Sequence, residues 1–261
     1  MPWQTLQLTH QTHVATVTLY RPDVRNAFNA ISIAELTQVF TLLGRDQSVR
    51  VIVLAAHGKT FCAGADLQWM LQMAQFSAEE NQADALRLAA MLHTIYLCPK
   101  PIVAQVQGDC VGGGVGLIAA CDIVLASDDA HFCLAEVKLG LIPATIAPYV
   151  IRAIGQQAAR RYFLTAERFT AQAAQRIGLL HDLVAPEALA ASVDAVVQSL
   201  SANGPQAVQQ AKILVREIAG RAITDEMMQD TATRIAQIRT SDEGREGVNA
   251  FLEKRKPAWR D

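Results

Sequence analysis

Several common sequence features are missing from this 261-residue chain, and each absence excludes a class of protein. No apolar stretch reaches the ~20 residues that a membrane-spanning helix needs, and the first residues lack the basic and apolar blocks of a secretory signal. The formal net charge is −2, so no global basic field favours nucleic acid or an anionic membrane surface. We therefore expect a soluble, unprocessed protein that binds neither nucleic acid nor membrane.

Disulfide frameworks and metal sites also lack support in the sequence. The five cysteines are odd in number and no two form a C-x-x-C pair, which argues against disulfides and against structural zinc. The histidines do not show the H-x-x-x-H spacing of a metal-binding helix. These residues are Cys62, Cys98, Cys110, Cys121 and Cys133, with His57, His93, His131 and His181. We expect no metal ion and a reducing, cytoplasmic environment.

What the sequence does contain is a hydrophobic fraction of 51% arranged in strand-length apolar runs. The runs at 51–55 and 102–106 have no polar alternation, which is typical of strands buried on both faces of a parallel sheet. Each is followed by a glycine-bearing loop, at 61–67 and 108–117, and then by a helix-like pattern. The order of these patterns predicts an α/β fold built from crossover units.

Further elements are predicted in the N-terminal half from local signals. Alternating residues at 5–9 and 14–20 predict a hairpin. Ser32 is expected to cap a helix over 33–43 that Gly44 closes, and the capping-box pattern at Ser77 predicts a second helix to Leu97.

The second half of the chain is expected to be mainly helical. A helix is predicted over 115–121, followed by a strand over 123–126. From Pro143 onward the pattern is helical almost throughout, with stops near Gly155, Gly178 and Gly204.

The two glycine-bearing loops carry the chemistry that the sequence suggests. Loops at the carboxyl ends of buried strands direct free main-chain N–H groups into a crevice, and small residues let a ligand approach the backbone. One donor from each loop could hold a single oxygen, such as a thioester carbonyl that becomes an enolate. Each such donor is worth about 2.7–4 kcal/mol in comparable acyl-transfer sites. The sequence thus predicts an oxyanion hole.

Taken in order, the motifs resemble those of the enoyl-CoA hydratase/isomerase (crotonase) superfamily. They are Arg21-Pro22, Asn26-Ala27, 61–67, Gly112-Gly113-Gly114, Cys121-Asp122, Phe132, Glu136, 139–143, Glu246-Gly247 and 251–255. The resemblance implies a ClpP-like spiral of ββα units over 1–200 and a C-terminal helical trimerisation region over 201–261. It also implies a homo-oligomer, either a trimer or a dimer of trimers. Coenzyme A would be part of the substrate, with no separate cofactor.

The resemblance further implies which residues bind the acyl-CoA thioester. Its oxygen would lie between the N–H groups of Ala65 and Gly113, with Lys59 and Ala63 along the adenine and pantetheine and Lys254 near the phosphates. The residues expected to bind substrate are Lys59, Ala63, Ala65, Asp66, Leu67, Gln68, Gly113 and Lys254.

Typical hydratases of this superfamily use two glutamates, and the matching positions here are Gly116 and Glu136. Glu136 lies in a mainly apolar segment, where desolvation would raise its pKa toward the range useful for proton transfer. The alternative is a structural role for Glu136, as a capping residue or in a salt bridge with Lys138. We expect Glu136, Ala65, Gly113 and the unusual Gly116 to form the catalytic set.

Three explanations account for the missing carboxylate at Gly116. Glu136 does both proton transfers, or Glu79, Glu80 or Asp84 reaches into the site. Alternatively, the substrate brings its own carboxylate. In the third explanation, no water is used and one glutamate moves a proton between C2 and C4, as in Δ3,Δ2-enoyl-CoA isomerases.

Local segments resemble the bacterial branch that acts on 3-methylglutaconyl-CoA and isohexenylglutaconyl-CoA, in leucine or terpenoid-acid breakdown. The segments are 113–117, 141–150 and 159–169. Where much of the superfamily has a Pro-Gly-x-Gly-Gly turn, this chain has Pro143-Ala144-Thr145-Ile146, which predicts a bulkier acyl pocket wall. Trp69, Met70 and Met73 are expected to line the pocket or to belong to the core.

The leading hypothesis is a hydratase that adds water to a branched or glutaconyl-type 2-enoyl-CoA. The alternatives are a Δ3,Δ2-enoyl-CoA isomerase and an acyl-CoA-binding protein with little catalysis.

Overall fold

The computed structural model describes residues 3–260 and contains two sheets. The six-stranded sheet has the order β1-β2-β3-β5-β7-β10, and the four-stranded sheet has the order β4-β6-β8-β9. The strands are β1 (Leu6–Gln11), β2 (Val14–Leu19), β3 (Val51–Ala56), β4 (Thr60–Cys62), β5 (Ile102–Val106), β6 (Asp109–Val111), β7 (Ile123–Ser127), β8 (His131–Cys133), β9 (Phe169–Thr170) and β10 (Asp182–Val184). All neighbours are parallel except the β1–β2 hairpin and the β8–β9 pair.

Three strand pairs, β3–β4, β5–β6 and β7–β8, have one strand in each sheet and are followed by helices, whereas both strands of the β1–β2 hairpin lie in the six-stranded sheet. The helices are α1 (Ala30–Arg45), α2 (Leu67–Met73), α3 (Ala78–Leu97), α4 (Gly113–Ala119), α5 (Ala147–Thr165), α6 (Ala171–Arg176), α7 (Leu189–Ser201), α8 (Pro205–Ile218), α9 (Asp225–Thr240) and α10 (Asp242–Leu252). The repeated strand, strand, helix order gives the expected spiral of ββα units. Its two glycine-bearing loops connect β4 to α2 and β6 to α4.

The parallel strands read as continuous apolar runs because both of their faces are covered. On β3, Ile52 and Leu54 join the main core, while Val51 and Val53 belong to a second cluster. That second cluster includes Val193 of α7 on the other face of the sheet. Burial on both faces removes the polar alternation that a half-exposed strand would show.

The hairpin and the helix capped by Ser77 confirm the sequence predictions, but the start and end of α1 do not. The capping residue of α1 is Asn29, whose side chain accepts from the Ser32 N–H at 2.9 Å. Ser32 is the reciprocal partner, and its hydroxyl accepts from the Asn29 N–H. The helix therefore begins at Ala30, three residues before the predicted start, and it runs through Gly44 to Arg45.

The prediction of a helical second half was wrong at two strands. β9 has two residues and β10 has three, too few to show a period in the sequence. Helix α4 begins at Gly113 rather than at 115, and Gly155 lies inside α5 as a kink with φ +74°. Among residues 3–260, no helix combines the length and apolarity required to cross a bilayer. The expectation of an unprocessed N-terminus concerns Met1 and Pro2, which lie outside the described residues.

Candidate active site

The first loop is held against Phe28 by two main-chain hydrogen bonds. The Phe28 N–H donates to the Gly64 carbonyl at 2.7 Å, and the Asp66 N–H donates to the Phe28 carbonyl at 2.8 Å. These bonds form an isolated parallel bridge between Phe28 and Ala65. The Ala65 N–H itself has no acceptor in the part of the chain that the structure describes. Ala65 is exposed, so this N–H remains available to a ligand.

Asp66 fixes the end of this loop by capping α2. Its carboxylate accepts from the Gln68 N–H at 2.8 Å and pairs with Arg21 Nη2 at 2.8 Å. Burial by itself would raise the pKa of Asp66, but the Arg21 guanidinium and the donated N–H groups outweigh it and lower that pKa. Both partners hold the carboxylate in its ionised form. The Asp66 side chain is therefore committed to the fold, whereas its neighbours Leu67 and Gln68 are exposed.

The second loop presents the start of α4 beside the first. Gly112 has φ +51° and caps the helix, and its N–H donates to the Cys133 carbonyl at 2.8 Å. A β-carbon added to Gly112 would lie 4.0 Å from Gly64 Cα, so the two loops meet at these glycines. The N–H of Gly113, in the first turn of α4, donates to no acceptor within residues 3–260.

Phe28 joins the two loops and was missed in the sequence. Its main chain pairs with the first loop, and its ring lies 3.0 Å from the place of a β-carbon on Gly113. The ring is buried at 2% exposure. A single aromatic after the Asn26-Ala27 motif shows no local period, although its position directly after that motif was an available signal.

Glu136 lies beside Gly112, in a one-turn 3-10 helix spanning Glu136–Leu139. Its Oε1 is 3.1 Å from the place of a β-carbon on Gly112, and its Oε2 is buried with no hydrogen-bond partner among residues 3–260. Burial raises the pKa of this carboxyl above its usual value. No ion pair to Lys138 forms in the described chain, so the salt-bridge alternative is not supported. A buried carboxyl with a raised pKa is suited to proton transfer, and this one lies beside Gly112, the residue before Gly113.

Gly116 lies one turn after Gly112, and the place of its missing side chain is occupied. A β-carbon there would lie 2.2 Å from Ile146 Cγ2 and 2.5 Å from Ile146 Cβ. Gly116 and Ile146 are both buried. The space next to position 116 is therefore filled by Ile146.

A cleft of about 690 Å³ opens at the first loop. Its lining includes five of the predicted binding residues, together with Arg21, Arg25 and Trp69. The five are Ala63, Ala65, Asp66, Leu67 and Gln68.

Comparisons with known proteins identify the family of this chain. The enoyl-CoA hydratase/isomerase family model matches residues 9–261. The chain belongs to the enoyl-CoA hydratase/isomerase family. It is 34% identical over 247 residues to a putative enoyl-CoA hydratase of Thermus thermophilus, covering 95% of this chain and 97% of that protein. It is 32% identical over 258 residues to the mevalonyl-coenzyme A hydratase sidH of Aspergillus fumigatus, covering 95% and 92%.

A solved structure shows the same crotonase fold at higher identity. The crystal structure of an enoyl-CoA hydratase from Shewanella pealeana superposes with a TM-score of 0.96 at 44% identity, covering 98% of this chain and 96% of that one. Activity of the enoyl-CoA hydratase/isomerase type and an acyl-CoA substrate are thus supported for this chain.

The predicted site residues fall into two groups, those that the structure brings together and those that lie apart. Ala65, Gly113 and Glu136 come together through Phe28 and the contact between Gly64 and Gly112. Lys59 and Lys254 are exposed and do not line the cleft, and Lys254 lies just after α10 with φ +55°. Their roles toward coenzyme A stay predictions.

The substitute acids considered for the missing carboxylate are held elsewhere. Glu80 accepts from the Ser77 N–H at the start of α3, Asp84 pairs with Arg87 at 2.7 Å, and Glu79 is exposed. None of the three lines the cleft, and the hypothesis that one of them reaches the site stays a prediction. Among residues 3–260 no cluster of three metal-ligating side chains occurs.

Trp69 belongs both to the main core and to the wall of the cleft. It is 7% exposed, packs in the main core and lines the cleft. Its Nε1 is buried and has no acceptor within the described chain. Met73 packs against the same core, while Met70 is half-buried and is not part of the cleft lining.

Proposed function

We propose that this protein is a hydratase that adds water across the 2,3 double bond of an enoyl-CoA. In this proposal the protein uses a single carboxyl group, that of Glu136. The observation that carries the proposal is the juxtaposition of Glu136 with two glycine-bearing loops whose Ala65 and Gly113 N–H groups have no acceptor among residues 3–260. An acyl oxygen between those donors would place C2 and C3 next to the carboxyl.

The chemistry balances with a single carboxyl. Glu136 accepts a proton from water while the water oxygen forms a bond to C3. The electron pair of the double bond moves toward the thioester oxygen, where the Ala65 and Gly113 N–H groups stabilise the enolate. The protonated Glu136 then gives its proton to C2, and the product is a 3-hydroxyacyl-CoA.

The raised pKa of Glu136 suits both halves of this cycle. Burial disfavours the charged carboxylate, which makes it a stronger base than an exposed glutamate. After proton uptake the neutral carboxylic acid is favoured by the same burial, and it remains a competent donor to C2. Oε1 is the carboxyl oxygen that faces Gly112 and the two loops, whereas Oε2 is buried.

A branched or glutaconyl-type acyl group is the substrate that we favour. The segments at 113–117, 141–150 and 159–169, which resemble the branch that acts on such substrates, support this choice.

A second candidate is the Δ3,Δ2-enoyl-CoA isomerase. It is favoured by the occupied space at Gly116, because proton movement between C2 and C4 needs one carboxyl and no water. The acyl-CoA-binding protein without catalysis has less support, since binding alone does not require an unpartnered buried carboxyl.

The proposal also includes a homo-oligomer and a cytoplasmic location. Helices α8 to α10 leave large apolar side chains exposed, including Val215, Val248, Phe251 and Leu252, and an oligomer of three or six chains would cover them. The five free cysteines fit the cytoplasm.

The experiment is a panel of enoyl-CoA substrates with product analysis. The purified protein is incubated with crotonyl-, 3-methylglutaconyl- and isohexenylglutaconyl-CoA, and loss of the enoyl-thioester absorbance is followed. We expect the fastest loss with a glutaconyl-type substrate and a 3-hydroxyacyl product. A 3-enoyl-CoA in deuterated water tests the isomerase, which would give 2-enoyl product without a 3-hydroxy species. No turnover of any of the four would overturn the enzyme assignment.

A further inference from the structure

Ile146 fills the space into which a side chain at position 116 of α4 would point. The added β-carbon of Gly116 would lie 2.2 Å from Ile146 Cγ2 and 2.5 Å from Ile146 Cβ. Rotating the isoleucine side chain moves Cγ2 but leaves its β-carbon in place. A residue larger than glycine at 116 therefore requires a shift of the Ile146 backbone.

The Ile146 backbone is held at the start of α5. It is 2% exposed, and its carbonyl accepts from the Val150 N–H at 3.1 Å and from the Tyr149 N–H at 3.1 Å. Helices α4 and α5 pack against each other. The clash at Gly116 is thus between two fixed parts of the fold, and the packed interior leaves little room for relaxation.

A side chain at 116 would extend toward Glu136. The Gly116 N–H donates to the Gly112 carbonyl at 3.3 Å, so the two positions are one helical turn apart. Helical side chains lean toward the preceding turn, which here means toward Gly112. Glu136 Oε1 is 3.1 Å from the place of a β-carbon on Gly112.

We infer that Ile146 is a specificity-determining residue that fills the place of a second carboxyl beside Glu136. Gly116 and Ile146 form one steric unit, and its effect is that a single titratable group faces the acyl chain. The catalytic part of this inference rests on the proposed function, but the steric part does not.

The test uses Gly116→Glu, Ile146→Gly, and the double variant G116E/I146G, with G116Q/I146G as a matched neutral control. Gly116→Glu alone should lower the melting temperature by about 5–10 °C, because it overpacks the α4–α5 contact. In the Ile146→Gly background the same substitution should cost at most a third of that shift. Equal shifts in both backgrounds would overturn the steric unit.

The second readout is the pH dependence of melting in the two double variants. Two neighbouring carboxyls oppose each other's ionisation, so G116E/I146G should lose melting temperature between pH 4 and 7 more steeply than G116Q/I146G. Identical pH profiles would show that the space of Ile146 does not open toward Glu136, which overturns the inference. Neither readout needs turnover, so an inactive wild type would remove the proposed function without deciding this one.

Where the wild type is active, the activity readout adds the functional consequence. We expect G116E/I146G to gain at least tenfold in kcat/KM on unbranched crotonyl-CoA relative to G116Q/I146G. If kcat/KM does not rise, Ile146 acts only in packing, which contradicts its role in specificity.

Discussion

At Gly112 a β-carbon would lie 3.1 Å from Glu136 Oε1, whereas at Gly116, one turn further along α4, it would lie 2.2 Å from Ile146 Cγ2. The first neighbour is the polar end of a movable side chain. The second is a branched apolar residue whose own β-carbon is only 2.5 Å away. Glycine at the cap of α4 thus leaves room for the Glu136 carboxyl, and glycine within α4 leaves room for the apolar side chain of Ile146.

The comparison shows that a glycine in a site does not by itself indicate open space. Gly112 also combines φ +51° with ψ −118°, which L-residues rarely adopt, so its backbone requires glycine whereas its neighbour, a side-chain oxygen, can shift. At Gly116 the helical backbone tolerates any residue, and packing against α5 alone excludes a side chain.

The largest effect on activity is expected from a substitution of Glu136, the polar neighbour of Gly112. Glu136→Gln keeps the shape of the side chain but cannot exchange a proton, so kcat should fall by about 10²–10⁴-fold. Turnover of the best substrate is measured beside the melting temperature. Glu187→Gln, in a turn between β10 and α7, serves as a surface control that should keep full activity. Activity in Glu136→Gln within threefold of the wild type would contradict the mechanism.

An intermediate effect is expected when Gly112 gains a methyl group. Gly112→Ala places a β-carbon against Glu136 Oε1 and should reduce kcat by about 10–100-fold through displacement of the carboxyl. It should also destabilise the fold, because φ is +51°.

Gly220→Ala is the matched control for backbone strain. Gly220 has φ +79°, and among residues 3–260 no atom lies within 4 Å of an added β-carbon. Gly220→Ala should cost about 1–2 kcal/mol of stability and retain activity, and Gly112→Ala, where ψ is −118°, should cost at least as much. Equal loss of activity in both variants would mean that strain, rather than displacement of Glu136, explains the result.

The smallest effect is a change in the pH dependence of stability. Because burial raises the Glu136 pKa, the folded state holds this proton more tightly than the unfolded state does. The stabilising contribution is fully present below the ordinary glutamate pKa of about 4.3 and is lost as pH rises through the raised value. Glu136→Gln should therefore flatten that decline in melting temperature between pH 4 and 8.

Glu246 provides a control of opposite sign. Hydrogen bonds from Arg255 and the Ala258 N–H lower its pKa to about 2, so its contribution is present above about pH 4.3 and is lost as pH falls toward 2. Glu246→Gln should change the acid side of the melting profile and leave the decline above pH 4 in place. The same change in both variants would contradict the assignment of the decline to Glu136.

Much of the fold could be predicted because its signals are local. The apolar runs of β3 and β5, the alternation in the β1–β2 hairpin and the Ser77 capping box depend on neighbouring residues only. The two-residue β9 could not be predicted, because its pairing with β8 is a long-range contact and it is too short to show a period. Asn29 and Ser32 both favour helix starts, and only their mutual hydrogen bonds decided which of them caps α1.

By itself the sequence determined the two glycine-bearing loops, the family and the solitary Glu136, because motif order and residue identity carry that information. The tertiary structure decided what surrounds them. It paired Asp66 with Arg21, inserted Phe28 between the loops and set Ile146 against Gly116. These pairs are all separated by 30 residues or more, and no local period can specify which side chain fills a space that distant segments create on folding.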